Sequence, residues 1–330
     1  MQRILVYEHI TGGGMLDDPR MSALAPEGEV MVRALVDDLM AIPDVEVAVL
    51  RDFRLSPDLP VRTHIVRAGE FNTVIRQALQ ECDAVWPTAP ETDGILLRIT
   101  GRILECGRTL LGTRPDAIAI AASKRATATV LGRAGIAVVP VYSSENDVPA
   151  DMREIVAKPD DGAGCQDTLL FANREDLRTR MRARTGSPVV FQPYIRGEAR
   201  SLSVLCCDGR ARLLACNRQR VELENGAFRF GGVSVNAVTD EGGCYAALAV
   251  DIARALPGLW GYCGVDFIET DAGPIVLEVN PRLTTSYAGL HRATGINPAQ
   301  LVLELPGSLD AGAGAMHRTR VVDVEPAHAG

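Results

Sequence analysis

Two carboxylates, an amide and a guanidinium stand close together late in the chain. Glu278 and Asn280 are two residues apart in the apolar run Ile275-Val276-Leu277-Glu278-Val279-Asn280. Alternation along a strand sends both side chains to one face. Asp266 sits in an earlier apolar run, and Thr270-Asp271-Ala272-Gly273 between the runs has the composition of a hairpin turn. If the strands pair antiparallel, three oxygen ligands converge. A small set of oxygen donors suits Mg²⁺, which keeps waters and takes the rest of its shell from nucleotide phosphates. Arg282 follows the stiff Pro281 and can aim a planar cation at the same place. A surface hairpin with solvated carboxylates explains the same spacing equally well, so the rest of the chain must decide.

Two lysines precede this hairpin. Lys124 follows Ser123 at the start of a helical piece, and Lys158 ends a strand over 154–159. Residues 160–167, DDGAGCQD, form a glycine-containing loop before the next strand, 168–171. The tip of such a hairpin is rich in backbone N–H groups and can fold over phosphates. Thr11-Gly12-Gly13-Gly14 follows the first strand and invites a dinucleotide reading. The G-x-G-x-x-G pattern fails there because its third glycine is missing, and G-x-x-x-x-G-K-[ST] occurs nowhere. A nicotinamide oxidoreductase is therefore disfavoured, while the glycine loop reads either as a close approach to a ligand or as a plain turn.

The elements that must position these residues alternate over 1–112. Strands are expected at 3–8, 45–50, 83–86 and 109–111, with helices at 27–41, 71–81 and 92–106. This order implies an open parallel sheet covered on both faces. Two helical pieces follow within 116–132, then a strand at 138–140. The hairpin around Lys158 leads to an arginine-rich helix, 174–184, with a solvated face. A strand at 188–192 ends in Pro193-Tyr194-Ile195. Strands at 199–207, 211–217 and 227–235 read as an antiparallel sheet with Asp208-Gly209 and Asn225-Gly226 at its turns. A helix at 241–255 precedes the carboxylate hairpin, and a short helix at 298–304 follows it. From 306 the chain reads as a loose tail with a short strand at 321–322.

Composition sets the outer limits. The chain has 330 residues, 47% of them apolar, enough for a substantial core in two or three domains. A net charge of −8 without a basic run argues against nucleic acid as a partner. No apolar stretch reaches the roughly 18 residues of a membrane span, and the N-terminus lacks the pattern of a secretory signal. The eight cysteines show no C-x-x-C pair and read mainly as small buried hydrophobes in a reducing compartment. A cytoplasmic location follows.

Four segments in one order carry a resemblance to a family. They are Ser123-Lys124-Arg125-Ala126-Thr127, Val156-Ala157-Lys158-Pro159 with DDGAGC, FQPYIRGE, and GVDFI with LEVNPR. Over about 1–305 the chain resembles the ATP-grasp enzymes. The resemblance implies an α/β and α+β architecture, with an N-terminal open parallel sheet domain (1–112), a central subdomain with the phosphate-covering loop (113–195), a C-terminal subdomain with the metal site (196–305) and a tail (306–330). It implies ATP and Mg²⁺ as cofactors and small carboxylate and amine substrates, with oligomeric state open, a homodimer included.

Residue roles follow by position. Lys124 and Lys158 would contact phosphates, and Gly162 and Gly164 would lie in the mobile loop over them. Gln192, Pro193, Tyr194 and Ile195 would form the adenine hinge, and Glu198 would hold the ribose. Asp266, Glu278 and Asn280 would hold Mg²⁺. Arg282 would steady the transferred phosphate. Gln192 departs from the glutamate of many members, which leaves its side chain's share in adenine binding open.

Within the family, VYEHITGGGM and EVNPRLTTSY look most like the tyramine–glutamate ligase group of methanofuran-type cofactor synthesis. Thr11 to Gly14 and Thr284 to Tyr287 would then line the acceptor side. His9 and His291 are candidate bases for the amine, and each reads more readily as structural. A ligase for another acceptor such as a pterin, and an ATP-binding regulatory protein, are the rival readings.

Overall fold

The computed structural model describes residues 1–162, 164–181, 188–305 and 320–325. The N-terminal part alternates as the sequence suggests. It runs β1 (Gln2–Glu8), α1 (Met21–Met40), β2 (Val45–Asp52), β3 (Arg62–Val66), α2 (Phe71–Glu81), β4 (Ala84–Thr88), α3 (Ile95–Glu105) and β5 (Thr109–Leu110). All pairings in this five-stranded sheet are parallel, in the order β3-β2-β1-β4-β5. The sequence reading lacked β3, a largely half-exposed edge strand whose Arg62-Thr63-His64 gives no apolar run. α1 begins six residues before the expected position and passes through Pro26, which sits near its N-terminal end. As the sixth helical residue it removes the bond that the Ser22 carbonyl would accept, and Ser22 is exposed, so water can take that place.

The second part opens with α4 (Pro115–Ala121) and α5 (Lys124–Arg133). The expected strand at 138–140 reduces to an isolated bridge between Val138 and Val276, because Pro140 has no N–H to continue a ladder. There follow β6 (Arg153–Pro159), β7 (Leu169–Asn173), α6 (Arg174–Met181) and β8 (Val189–Pro193). The expected extension of α6 to 184 lies outside the described residues. Then come β9 (Glu198–Cys207), β10 (Arg210–Glu224), β11 (Ala227–Val238), α7 (Cys244–Ala255), β12 (Gly261–Thr270) and β13 (Gly273–Asn280). These strands make one sheet in the order β13-β12-β9-β10-β11-β7-β6-β8. The turns at Asp208-Gly209 and Asn225-Gly226 hold both residues at positive φ, the geometry of a tight two-residue hairpin.

The chain closes with α8 (Tyr287–Thr294), α9 (Pro298–Glu304) and β14 (Val322–Val324). β14 pairs antiparallel with Val233–Val235 of β11. α8 is absent from the sequence reading because Gly289 interrupts its pattern. The glycine is needed: a Cβ there would press on Val235 and Val324. The stretch of the expected tail over 306–319 lies outside the described residues.

One apolar cluster joins the two sheets. It takes Leu35 and Leu39 from α1, Trp86 from β4, Tyr262 from β12, and Tyr287 and Leu290 from α8. The Trp86 and Tyr287 rings meet edge to face with centroids 6.4 Å apart. This packing fixes the carboxyl ends of β1 and β4 against the loop after β13. No helix among the described residues is long and apolar enough to cross a membrane.

Candidate active site

A cavity of about 1050 Å³ opens where the two sheets meet. Its floor is the pairing of β12 with β13. Asp266 lies directly opposite Glu278, and a bulge after Asp266 leaves Leu277 without a partner. Such a bulge re-aims the side chains that follow. Asn280 Nδ2 donates to Asp266 Oδ2 at 3.1 Å, and Gln219 Nε2 of β10 donates to Asp266 Oδ1 at 2.9 Å. Both Asp266 oxygens are thus held by amides, and Asn280 Oδ1 keeps its lone pairs. Burial and the neighbouring Glu278 charge push the Asp266 carboxyl up. For Glu278 burial acts upward too, but Lys124 and Lys158 outweigh it and hold that carboxyl below its ordinary value. Two adjacent half-buried carboxylates and an amide oxygen are a donor set that fits a divalent cation.

The cations stand above this floor. Ser123 caps α5, accepting from Ala126 N, and Lys124 is the first helical residue. Lys124 Nζ lies 3.3 Å from Glu278 Oε2 and donates to Gly162 O at 2.6 Å. Asp160 ties the glycine loop to the same helix end: it accepts from Ser123 Oγ at 2.6 Å and from Arg125 N at 3.0 Å. Lys158 is buried at the end of β6, and burial lowers its pKa to about 8 against the pull of Glu278. Burial, with the Glu278 and Asp266 charges, pushes the Cys165 thiol in the loop up to about 12, which favours the thiol over the thiolate.

The hinge residues Gln192, Pro193, Tyr194 and Ile195 also line the cavity, as do Gly162 and Gly164. Gln192 is 2% exposed, and its Nε2 has no partner among the described residues. Glu198 is placed differently from the expectation. It is absent from the cavity lining, because Arg200 on its own strand and Arg218 on the next each hold one of its oxygens.

Arg282 reaches the cavity, but it is held by a residue the sequence did not single out. Its Nε and Nη2 bind the Glu91 carboxylate side-on at 3.0 Å each, and Nη1 donates to Leu283 O. Glu91 lies past the end of β4, so the N-terminal sheet orients a cation carried by the other sheet. Gln219 and Glu27, which accepts from Thr285 Oγ1, were likewise missed. Spacing along the chain gives no signal for partners this remote. Of the two histidines, His9 lines the cavity, whereas His291 pairs with Asp38 at 2.6 Å outside it.

The chain is similar to known proteins. The ATP-grasp domain profile matches residues 121–286, and the pre ATP-grasp 3 domain profile matches 45–118. A tyramine–L-glutamate ligase from Methanocaldococcus jannaschii is 25% identical over 301 residues, covering 88% of this chain and 85% of the relative. An ATP-grasp superfamily protein from Archaeoglobus fulgidus superposes with a TM-score of 0.72 at 21% identity, covering 98% of this chain and 99% of that one. The L-amino acid ligase of Bacillus licheniformis gives 0.68 at 18% identity, covering 98% of this chain and 79% of that one. With a domain profile spanning half its length and a cation–carboxylate cavity between two sheets, the chain belongs to the ATP-grasp family.

Proposed function

We propose that the protein is an ATP-dependent carboxylate–amine ligase that joins L-glutamate to tyramine or tyrosine, as in methanofuran-type cofactor synthesis. The observation that carries the reaction class is the convergence of Lys124, Lys158, Asp266, Glu278, Asn280 and Arg282 on one cavity. The substrates rest on the relative named as a tyramine–L-glutamate ligase.

Lys124 and Lys158 hold the triphosphate as point charges. Asp266, Glu278 and Asn280 hold Mg²⁺, which supplies neutralising charge to the phosphates. A glutamate carboxylate oxygen attacks the γ-phosphorus, the bond to ADP breaks, and an acyl phosphate forms. The amine then attacks the acyl carbon, loses a proton, and phosphate leaves. Arg282, fixed by Glu91, offers its outer N–H groups to the charge on the transferred phosphate. The residues contribute position and charge rather than covalent chemistry, as in other phosphoryl transfers.

Glutamate labelled with ¹⁸O in its carboxylates tests this. Ligation through an acyl phosphate yields ADP and places one label in inorganic phosphate. Release of AMP and pyrophosphate would exclude the mechanism. Ligation only to amines other than tyramine and tyrosine would exclude the proposed substrate and leave the reaction class standing.

A further inference from the structure

Tyr7 and His9 lie at the carboxyl end of β1, on the other sheet from Asp266 and Glu278. The chain leaves β1 towards β2 on one side, while β4 lies on the other. The crevice between the ends of β1 and β4 is therefore the switch point of the parallel sheet, the place where such sheets bind ligands. His9 N donates to Thr88 O at 2.8 Å and so stands in that crevice.

The Tyr7 hydroxyl and His9 Nδ1 are 2.7 Å apart. Tyr7 is 1% exposed, and no other group among the described residues bonds its hydroxyl. Burial keeps the phenol protonated. A proton on Nδ1 would leave the buried O–H with no acceptor, a loss of about 1–3 kcal/mol. The phenol therefore donates to Nδ1, and the neutral ring carries its proton on Nε2. Gly14 makes room for the ring, since a Cβ there would overlap it.

Nε2 has no partner among the described residues, although His9 is only 8% exposed and lines the cavity. Burial, helped by Arg98 on α3, lowers the His9 pKa to about 4. Glu8, next to it, turns its carboxylate to the amides of Ile10 and Thr11. The ring is thus a neutral donor across the physiological range and no base. Phe71 packs on Tyr7, Glu27 stands close enough to Glu8 for their charges to interact, and Arg98 is the cation that acts on the ring. The Glu8 and Glu27 carboxylates disfavour a carboxylate at this end of the cavity, so the acceptor that suits the Nε2–H is an uncharged oxygen.

We propose that His9, set by Tyr7 as its positioning residue, selects the amine substrate by donating a hydrogen bond from Nε2 to an uncharged hydroxyl oxygen. The proposal rests on the ligase reading for the identity of that amine. It excludes His9 as the base that activates the nitrogen.

Nitrogen-15 NMR of histidine-labelled protein reads the first half without any turnover. The expected result is the Nε2–H form from pH 5.5 to 8, and a Tyr7→Phe variant should show a mixture of forms. An Nδ1–H form in the wild type, or a titration near 6.5, would overturn the proposal. Tyramine should shift the His9 Nε2–H signal and phenethylamine, which lacks the hydroxyl, should not; equal or absent shifts at saturation would overturn it.

Kinetics read the second half. His9→Phe should lower kcat/KM for tyramine about tenfold, the worth of one neutral hydrogen bond. It should leave phenethylamine within about twofold and the KM for glutamate unchanged, and His9→Gln should recover part of the loss. Equal losses for both amines, or a raised KM for glutamate, would overturn it. A tyramine-specific NMR shift without ligation would sink the ligase reading and spare the binding role of His9.

Discussion

At the end of the cavity floored by β12 and β13, the ionisable groups project from strands, and pairing register sets their positions. At the other end, formed by the loops after β1 and β4, they sit beyond the strands and meet partners from the opposite sheet. The first arrangement is local in sequence and dense in charge. The second depends on how two sheets dock. In this chain the candidate phosphate and metal ligands are built in the first way, and the contacts that align the two halves in the second.

Three measurements bear on this contrast. Removing a carboxylate from the first region should have the largest effect. Glu278→Ala leaves Lys124 and Lys158 without their counter-charge and Asp266 without its neighbour. ADP formation should fall by at least about 10³-fold with the fold retained by circular dichroism. Turnover close to wild type in a folded variant would remove Glu278 from the site.

A smaller effect is expected where the regions are joined. The Arg282–Glu91 pair is nearly dry, with side chains 13% and 7% exposed. Glu91→Gln should lower kcat by about 10²-fold and destabilise the protein by about 3–5 kcal/mol, the cost of leaving a buried guanidinium unpaired. A double-mutant cycle with Arg282→Lys separates the two. Additive losses in kcat would mean that Glu91 does not act through Arg282.

The smallest effect is a pH dependence within the first region. Lys158 titrates near pH 8 in the free protein, below its ordinary value because it is buried. A bound polyanion favours the charged form and raises that pKa. The Lys158 contribution to nucleotide affinity should therefore be flat below about pH 8 and fall by up to tenfold per pH unit above it, with proton uptake on binding. Calorimetry in buffers of different ionisation enthalpy measures that uptake, and none at pH 8.5 would count against Lys158 as a phosphate ligand.

The same contrast governs what could be read from the chain. Asp266, Glu278 and Asn280 were legible because strand alternation and a turn signal place three side chains without reference to anything distant. Lys124 and Lys158 were legible from a cap and a strand end. For Glu198 the partners were not legible: Arg200 and Arg218 hold its carboxylate, and Arg218 sits on another strand. Glu91, Glu27 and Gln219 stayed hidden since each acquires its partner only when sheets or non-adjacent strands assemble. In the fold, β3 lacked an apolar pattern, and α8 carried a glycine required by packing rather than by helix formation.

β14 gives the chain a particular order of assembly. Val233–Val235 on β11 find their partners at 322–324, after the whole β12–β13 hairpin and both following helices have been made. During synthesis that stretch of β11 waits as a bare edge, open to pairing with another nascent chain. Arg220 then fastens the late strand through Asp323, Glu325 and the Val324 carbonyl. A ribosome stalled before residue 322 would release a chain with its candidate catalytic groups already synthesised and a sticky seam left unsewn, a species for a chaperone to hold.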